Sequence, residues 1–126
     1  MLVGSAPAKR GLFSSSQLMR ISDALAAADK QTGFVFSVYV GELETPTQAH
    51  AQKLHAQLSS PAASILLAIA PNQRLLEIVT GEKVRQQLSD RSCGLVAVSM
   101  ASSLAGGDLT GSIVVGVHML ADRARS

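Results

Sequence analysis

The chain is predicted to fold as a single α/β domain. The expected architecture is an α/β/α sandwich around a mixed sheet, with a βαβ unit, an antiparallel hairpin strand after it and a C-terminal helical hairpin. Three observations predict it. Residues 34–40 form a β-branched and aromatic run that ends at Gly41, and a helix-forming segment follows. Residues 64–70 are a second apolar run, which meets a Pro71-Asn72 turn and returns as the β-rich run 75–80 before Gly81. Two long, nearly uncharged stretches near the C-terminus are separated by Gly106-Gly107-Asp108. At 126 residues the chain has the length of one domain, able to bury roughly two thirds of its unfolded surface in one core.

The elements follow in order. Ser14-Ser15-Ser16 offers helix caps, and Leu18, Ile21, Leu25 and Ala28 recur on one face until Gly33 stops the helix. The strand at 34–40 comes next. Thr45 before Pro46 reads as a cap followed by proline at the first helical position, with Ala51, Leu54 and Leu58 as the apolar stripe. The strands 64–70 and 75–80 are antiparallel to each other. Residues 82–88 read as a short helix presenting Val84 and Leu88, and Asp90 as the cap of a longer one through Leu95, Val98 and Ala101. In isolation 95–100 also fits a strand after Gly94, but the run continues into Ala101-Ser102-Ser103-Leu104, which favours helix. Asp108 caps the last helix, striped by Leu109, Ile113, Val117 and Leu120.

Composition narrows the function classes. Apolar residues make up 47% of the chain and aromatics 3%, so the core is aliphatic. A net charge of +2 with scattered basic residues argues against nucleic acid. The single cysteine, Cys93, excludes an internal disulfide, and a cytoplasmic location is expected. Leu2 and Val3 are the only sizeable apolar residues before Lys9-Arg10, too few for a signal peptide. Residues 1–13 are expected to be a flexible tail and 14–124 the domain. The uncharged stretch 93–107 and the stretch 109–120, which carries only His118, together reach bilayer length. A glycine pair and a carboxylate in the middle instead make them two buried helices, with no transmembrane segment.

A βαβ unit is parallel and right-handed, and ligands of open α/β sheets sit beyond the carboxyl ends of such strands. Those ends lead into Glu42 and Glu44 on one side and Asn72 on the other, with Arg74 opening the return strand. Asp90 joins this edge if the short helix climbs back along the sheet, and Asp108 then lies at the opposite end. Glu42, Asn72 and Asp90 are therefore the candidate ligand-binding residues. Each also has a purely structural explanation: solvent exposure for Glu42 and Glu44, capping for Asp90 and Asp108, turn chemistry for Asn72. His50 and His55 are five residues apart, off the spacing that sets two imidazoles on one metal. Cys93 has no His-Asn or His-Asp partners, so an inert thiol is expected. No G-x-S-x-G turn or glycine-rich phosphate loop is present. Gly107-x-x-x-Gly111 allows tight packing at the helix junction. No catalytic residue, metal site or cofactor is assigned.

Several segments carry a family resemblance in order: Thr32-Gly33 before the first strand, Ala49-His50-Ala51-Gln52-Lys53-Leu54-His55, and Leu66-Leu67-Ala68-Ile69-Ala70-Pro71. Leu76-Glu77-Ile78-Val79-Thr80-Gly81, Leu88-Ser89-Asp90 and Ala105-Gly106-Gly107-Asp108-Leu109 continue it. From about residue 18 to 120 this set resembles the TPM domain family of thylakoid-lumen, photosystem II repair and receptor-modulating proteins. The resemblance implies an α/β/α sandwich, often membrane-tethered, with divalent-metal binding or weak phosphatase activity in some members and protein-quality roles in others. Short, untethered relatives of unassigned function occur in actinobacteria, a source that the alanine-rich composition fits. Metal-binding members place an acidic residue and a glycine just before the second strand, where this chain has Ser60-Pro61-Ala62-Ala63. The expected function is therefore a non-enzymatic interaction or regulatory module that binds another protein or a second copy of itself. The alternative is a weak divalent-metal-assisted phosphatase using the carboxyl-edge acids.

Overall fold

In the computed structural model, which describes residues 2–3 and 13–124, the sheet has four strands in the order β1 (Leu2–Val3), β2 (Val35–Val40), β3 (Ser64–Ala70), β4 (Leu75–Thr80). β2 and β3 are parallel, with Val35 opposite Ser64 and Val40 opposite Ile69. β4 returns antiparallel, with Ala70 opposite Leu75 and Ile65 opposite Thr80. The helices are α1 (Ser15–Thr32), α2 (Thr47–Ala56), α3 (Asp90–Ala105) and α4 (Leu109–Ala124). The α/β/α architecture, the βαβ unit, the hairpin strand and the C-terminal helical pair are as expected.

Side-chain alternation along the strands builds two apolar layers. Phe36, Val38, Val40, Ile65, Leu67 and Ile69 face one way, where α1, α3 and α4 cover them. Leu66, Ala68 and Ala70 face the other way against Ala51 of α2 and Leu43, with Leu54 and Leu58 partly buried beside them. All residues of β3 are buried, as a near-continuous apolar strand requires. Each large aliphatic side chain removed from water there contributes about 1.5–3 kcal/mol.

The helix ends show which caps are used. Ser14 Oγ accepts from the Gln17 amide (3.1 Å), and Gln17 Oε1 accepts from the Ser14 amide (2.9 Å), closing a capping box on α1. Gly33, at φ +81°, ends the helix. The Asp29 carboxylate then accepts the Phe36 amide (2.8 Å), tying the last turn of α1 to the first residues of β2.

Three expectations are corrected. Thr45 does not cap α2: Pro46 is the extended cap residue, its carbonyl accepting the His50 amide (3.2 Å), and the helix begins at Thr47. The expected helix at 82–88 is a single 3₁₀ turn, Val84–Gln86, although Val84 and Leu88 are buried as foreseen. The cap of α3 is Ser89, whose Oγ accepts the Ser92 amide (3.1 Å), and Asp90 is the first helical residue. Asp108 does cap α4, accepting the Gly111 amide at 2.9 Å. Within the expected tail, Leu2 and Val3 pair with Tyr39 and Val38, and Phe13 is buried in the core. The rest of 1–12 lies outside the described residues.

Gly81 shows how closely the backbone approaches itself at the amino edge of the sheet. A Cβ there runs into the Pro61 and Ala62 carbonyl oxygens, whereas one at Gly94 on α3 meets nothing. Gly81→Ala is therefore expected to destabilise by about 1–3 kcal/mol. Gly94→Ala should stabilise by up to about 1 kcal/mol through helix propensity. Urea unfolding of both variants checks the pair, and equal effects of the same sign contradict this packing.

Burial raises the Asp29 carboxyl above its usual range, and the Phe36 hydrogen bond only partly offsets this. The folded state thus holds the proton more tightly than the unfolded chain. The associated stability is present at low pH and is lost as pH rises through the window just above the ordinary carboxyl value. Asp29→Asn keeps an acceptor for Phe36 without a charge to desolvate. Its stability relative to wild type should therefore improve from pH 4 to pH 7 in urea titrations, and a relative loss means that the hydrogen bond dominates.

Candidate functional site

The second half of α3 is uncharged, with no charged residue between Arg91 and Asp108, and its exposed polar side chains are those of Ser99, Ser102 and Ser103. Only one stripe of it is used inside. Cys93, Val96 and Met100 are buried, and Met100 packs where Gly116 of α4 has no side chain. Two of the residues that mark this helix in the sequence point outward, with Leu95 52% and Val98 72% exposed. Helical periodicity cannot choose a face on a helix that is apolar on several. The tight seat of Met100 on α4 makes the choice.

A groove of about 680 Å³ results between α3, the first residues of β4 and the α3–α4 junction. Ala97, Ala101 and Ala105 lie along it, Val98 and Leu75 line it further, and Leu104 and Leu109 border the junction. Among the described residues β4 is the last strand of the sheet, and no further strand separates the groove from solvent. Among the described residues that line it, Arg74 is the one that carries a charge. It closes the turn Pro71–Gln73 in a left-handed conformation (φ 55°, ψ 42°), its amide donating to the Pro71 carbonyl (3.1 Å). A non-glycine residue pays about 1 kcal/mol or more for that backbone, so its position is set by the turn. The uncharged run 92–107 was the available signal for this groove, being too long for one buried face to consume.

The structure brings Glu42 and Asn72 to one edge but not Asp90. The loop after β2 and the turn after β3 are laced together: Gln73 Oε1 accepts the Leu43 amide (2.8 Å), and Gln73 Nε2 donates to the Leu43 carbonyl (2.9 Å). Glu42 and Asn72 flank this pair, both exposed. Tyr39 donates its hydroxyl proton to the Glu42 carbonyl (2.9 Å), and His50 Nδ1 accepts the Glu44 amide (2.8 Å). Asp90 lies at the other end. β4 descends to the amino edge at Thr80, and one 3₁₀ turn is too short to climb back. The sixteen residues of α3 span about 24 Å, and it is their far end that reaches Pro71 and Arg74. Asp108 accordingly sits toward the carboxyl side, between the groove residues Gly107 and Leu109, the reverse of the expected placement.

The remaining reactive side chains have structural occupations. His55 is buried, with Nε2 3.0 Å from the Ser64 carbonyl, joining α2 to the start of β3. Among the described residues, no three of His, Cys, Asp and Glu are grouped so as to hold a metal ion. No helix of the described residues is long and apolar enough to cross a membrane. The Cys93 thiol is pushed up to about 11, by burial first and by the neighbouring Asp90 carboxylate second. At neutral pH it is a protonated thiol and a poor nucleophile. Native protein should therefore react slowly with Ellman's reagent at pH 7, faster toward pH 10, and at the rate of an ordinary thiol once unfolded in urea. Rapid stoichiometric reaction of the native state at pH 7 contradicts this assignment.

The chain is similar to proteins of uncertain role. It is 27% identical over 108 residues to Uncharacterized protein Rv2468c of Mycobacterium tuberculosis (strain ATCC 25618 / H37Rv). The same figures hold for Uncharacterized protein MT2543 of strain CDC 1551 / Oshkosh. The match covers 86% of this chain but 65% of each relative, so the chain spans just under two thirds of their length. Among solved structures, the BA42 protein of Bizionia argentinensis superposes with a TM-score of 0.81 at 15% identity, over 93% of this chain and 84% of that one. The N-terminal domain of a P. gingivalis protein gives 0.78 at 19% identity, over 90% and 76% of the two chains. The N-terminal domain of cg2496 from Corynebacterium glutamicum gives 0.68 at 21% identity, over 91% and 76%. These likenesses establish a shared fold. A family described as Domain of unknown function (DUF5130) matches residues 3–121, nearly the whole sequence, and the chain belongs to that family.

Proposed function

We propose that this domain is a non-enzymatic interaction module that docks a protein partner in the groove between α3 and β4. The observation that carries the reading is the outward apolar face of α3, with Val98 72% exposed above a groove of about 680 Å³. Contiguous exposed apolar surface costs solubility and marks interaction sites more often than chance. The TPM likeness enters this reading as architecture alone. Ser60-Pro61-Ala62-Ala63 supplies no carboxylate before β3, and hard cations need several oxygen ligands. Glu42 and Asn72 remain as surface groups at the carboxyl edge, and Asp90 belongs to the helix start at the other.

A photo-crosslinking amino acid placed at Val98 and, as a control, at the exposed Lys53 of α2 tests the reading in cells that express the protein natively. Specific protein adducts are expected from position 98 and not from 53, and Ala101→Asp should remove them. Because position 98 is exposed, substitution there should leave stability within about 0.5 kcal/mol. Equal labelling from both positions contradicts the docking face. Turnover of a generic phosphate monoester with magnesium or manganese, abolished by Glu42→Gln, replaces the reading with the metal-assisted phosphatase.

A further inference from the structure

We infer that the occupant of the groove is an amphipathic helix of a different protein, aliphatic on the face that enters and bearing a carboxylate where it passes Arg74. The inference rests on the docking reading above and adds the chemistry of the partner.

Charge decides the polar end. Arg74 is the single charge among the described lining residues, and α3 contributes none between Arg91 and Asp108. Among the described residues no ion pair engages the Arg74 guanidinium. Asp108 is near the same end, but its carboxylate is turned to the Gly111 amide of its own helix. The groove therefore offers an apolar trough with one unneutralised cation at its β4 end. A carboxylate gains a charge-assisted hydrogen bond there, and a basic partner is repelled.

Shape decides the apolar part. Ala97, Ala101 and Ala105 recur every fourth residue, so they form one shallow row on α3 beside the exposed ridge of Leu95 and Val98. A row of this kind receives the side-chain ridge of a second helix at close approach. From Ala97 to Ala105 the row rises about 12 Å, roughly two turns of a partner helix.

A second copy of this chain does not satisfy the same groove. In a twofold pairing with its axis through the groove, the groove meets its own counterpart, and none of the described lining residues is acidic. Both copies of Arg74 would then be buried without an anion, which is costly.

The test uses the full chain, ¹⁵N-labelled, titrated with designed helical peptides of about four turns. One carries a leucine stripe ending in a single Glu, and its analogues have Gln or Lys at that position. The Glu peptide should shift the amides of 74–76 and 97–105 and bind about fivefold more tightly than the Gln peptide, with Lys weakest. The preference for Glu should vanish in Arg74→Gln and shrink at about 0.5 M salt, while Val98→Asp weakens all three peptides at least tenfold. Equal affinity for Glu and Gln with the same amides shifted overturns the carboxylate and leaves the docking reading standing. Shifts elsewhere, or no saturable binding by any peptide, overturn both. A dimer in sedimentation that Val98→Asp dissociates overturns the heterologous partner in favour of a second copy.

Discussion

The fold depends on burying β3 on both faces. A strand with Ile65, Leu67 and Ile69 on one side and Leu66, Ala68 and Ala70 on the other cannot face water either way. It must sit inside a sheet and between two helical layers. Parallel pairing with β2 follows, because the connection between them is long enough to carry α2 across one face. Antiparallel pairing with β4 follows from a turn too short for a crossover. The remaining three helices are then left for the other face.

The two layers are unequal, and the inequality produces the groove. α2 covers its face with small contacts through Ala51 and the partly buried Leu54 and Leu58. On the opposite face α1 packs beside β2 and α3 beside β4, with α4 against both helices and Met100 of α3 in the notch at Gly116. That notch fixes the roll of α3. The face left over carries Leu95, Val98 and Ala101, and it overhangs the start of the edge strand. The groove is thus a by-product of close helix packing, open because, among the described residues, no further strand follows β4 in the sheet.

Both ends of the sheet are, by contrast, laced with polar contacts. At the carboxyl edge the Gln73 amide clasps both backbone groups of Leu43. At the amino edge the Ser64 carbonyl accepts from the Gly81 amide (2.9 Å) and faces His55 Nε2, and the Ala62 carbonyl takes the Lys83 amide (2.9 Å). These bonds satisfy backbone groups where the strands stop, which an α/β fold must do somewhere. In this chain they also occupy the edge at which ligands of such sheets are usually held. The lateral groove is a concave surface that the lacing leaves open.

The sequence by itself determined β2, β3 and β4, their pairing and the layer count, whereas β1 fell within the expected tail. Runs of β-branched residues, a Pro-Asn turn and the length of each connection admit few arrangements, and these signals are local. It also located Gly33 and Asp108, whose backbone roles are set within one turn. Helix starts were less legible: Ser89 and Asp90, or Thr45 and Pro46, are adjacent, and which one caps depends on the direction from which the chain arrives. Only the tertiary structure decided the position of Asp90. Whether 82–88 is a helix that climbs or a single turn that stays sets a residue at one edge or about 24 Å from it. It also decided which stripe of α3 is buried, because a helix apolar on several faces carries no periodic preference. That choice belongs to the packing of Met100 against Gly116, a contact between residues sixteen apart that no local pattern encodes.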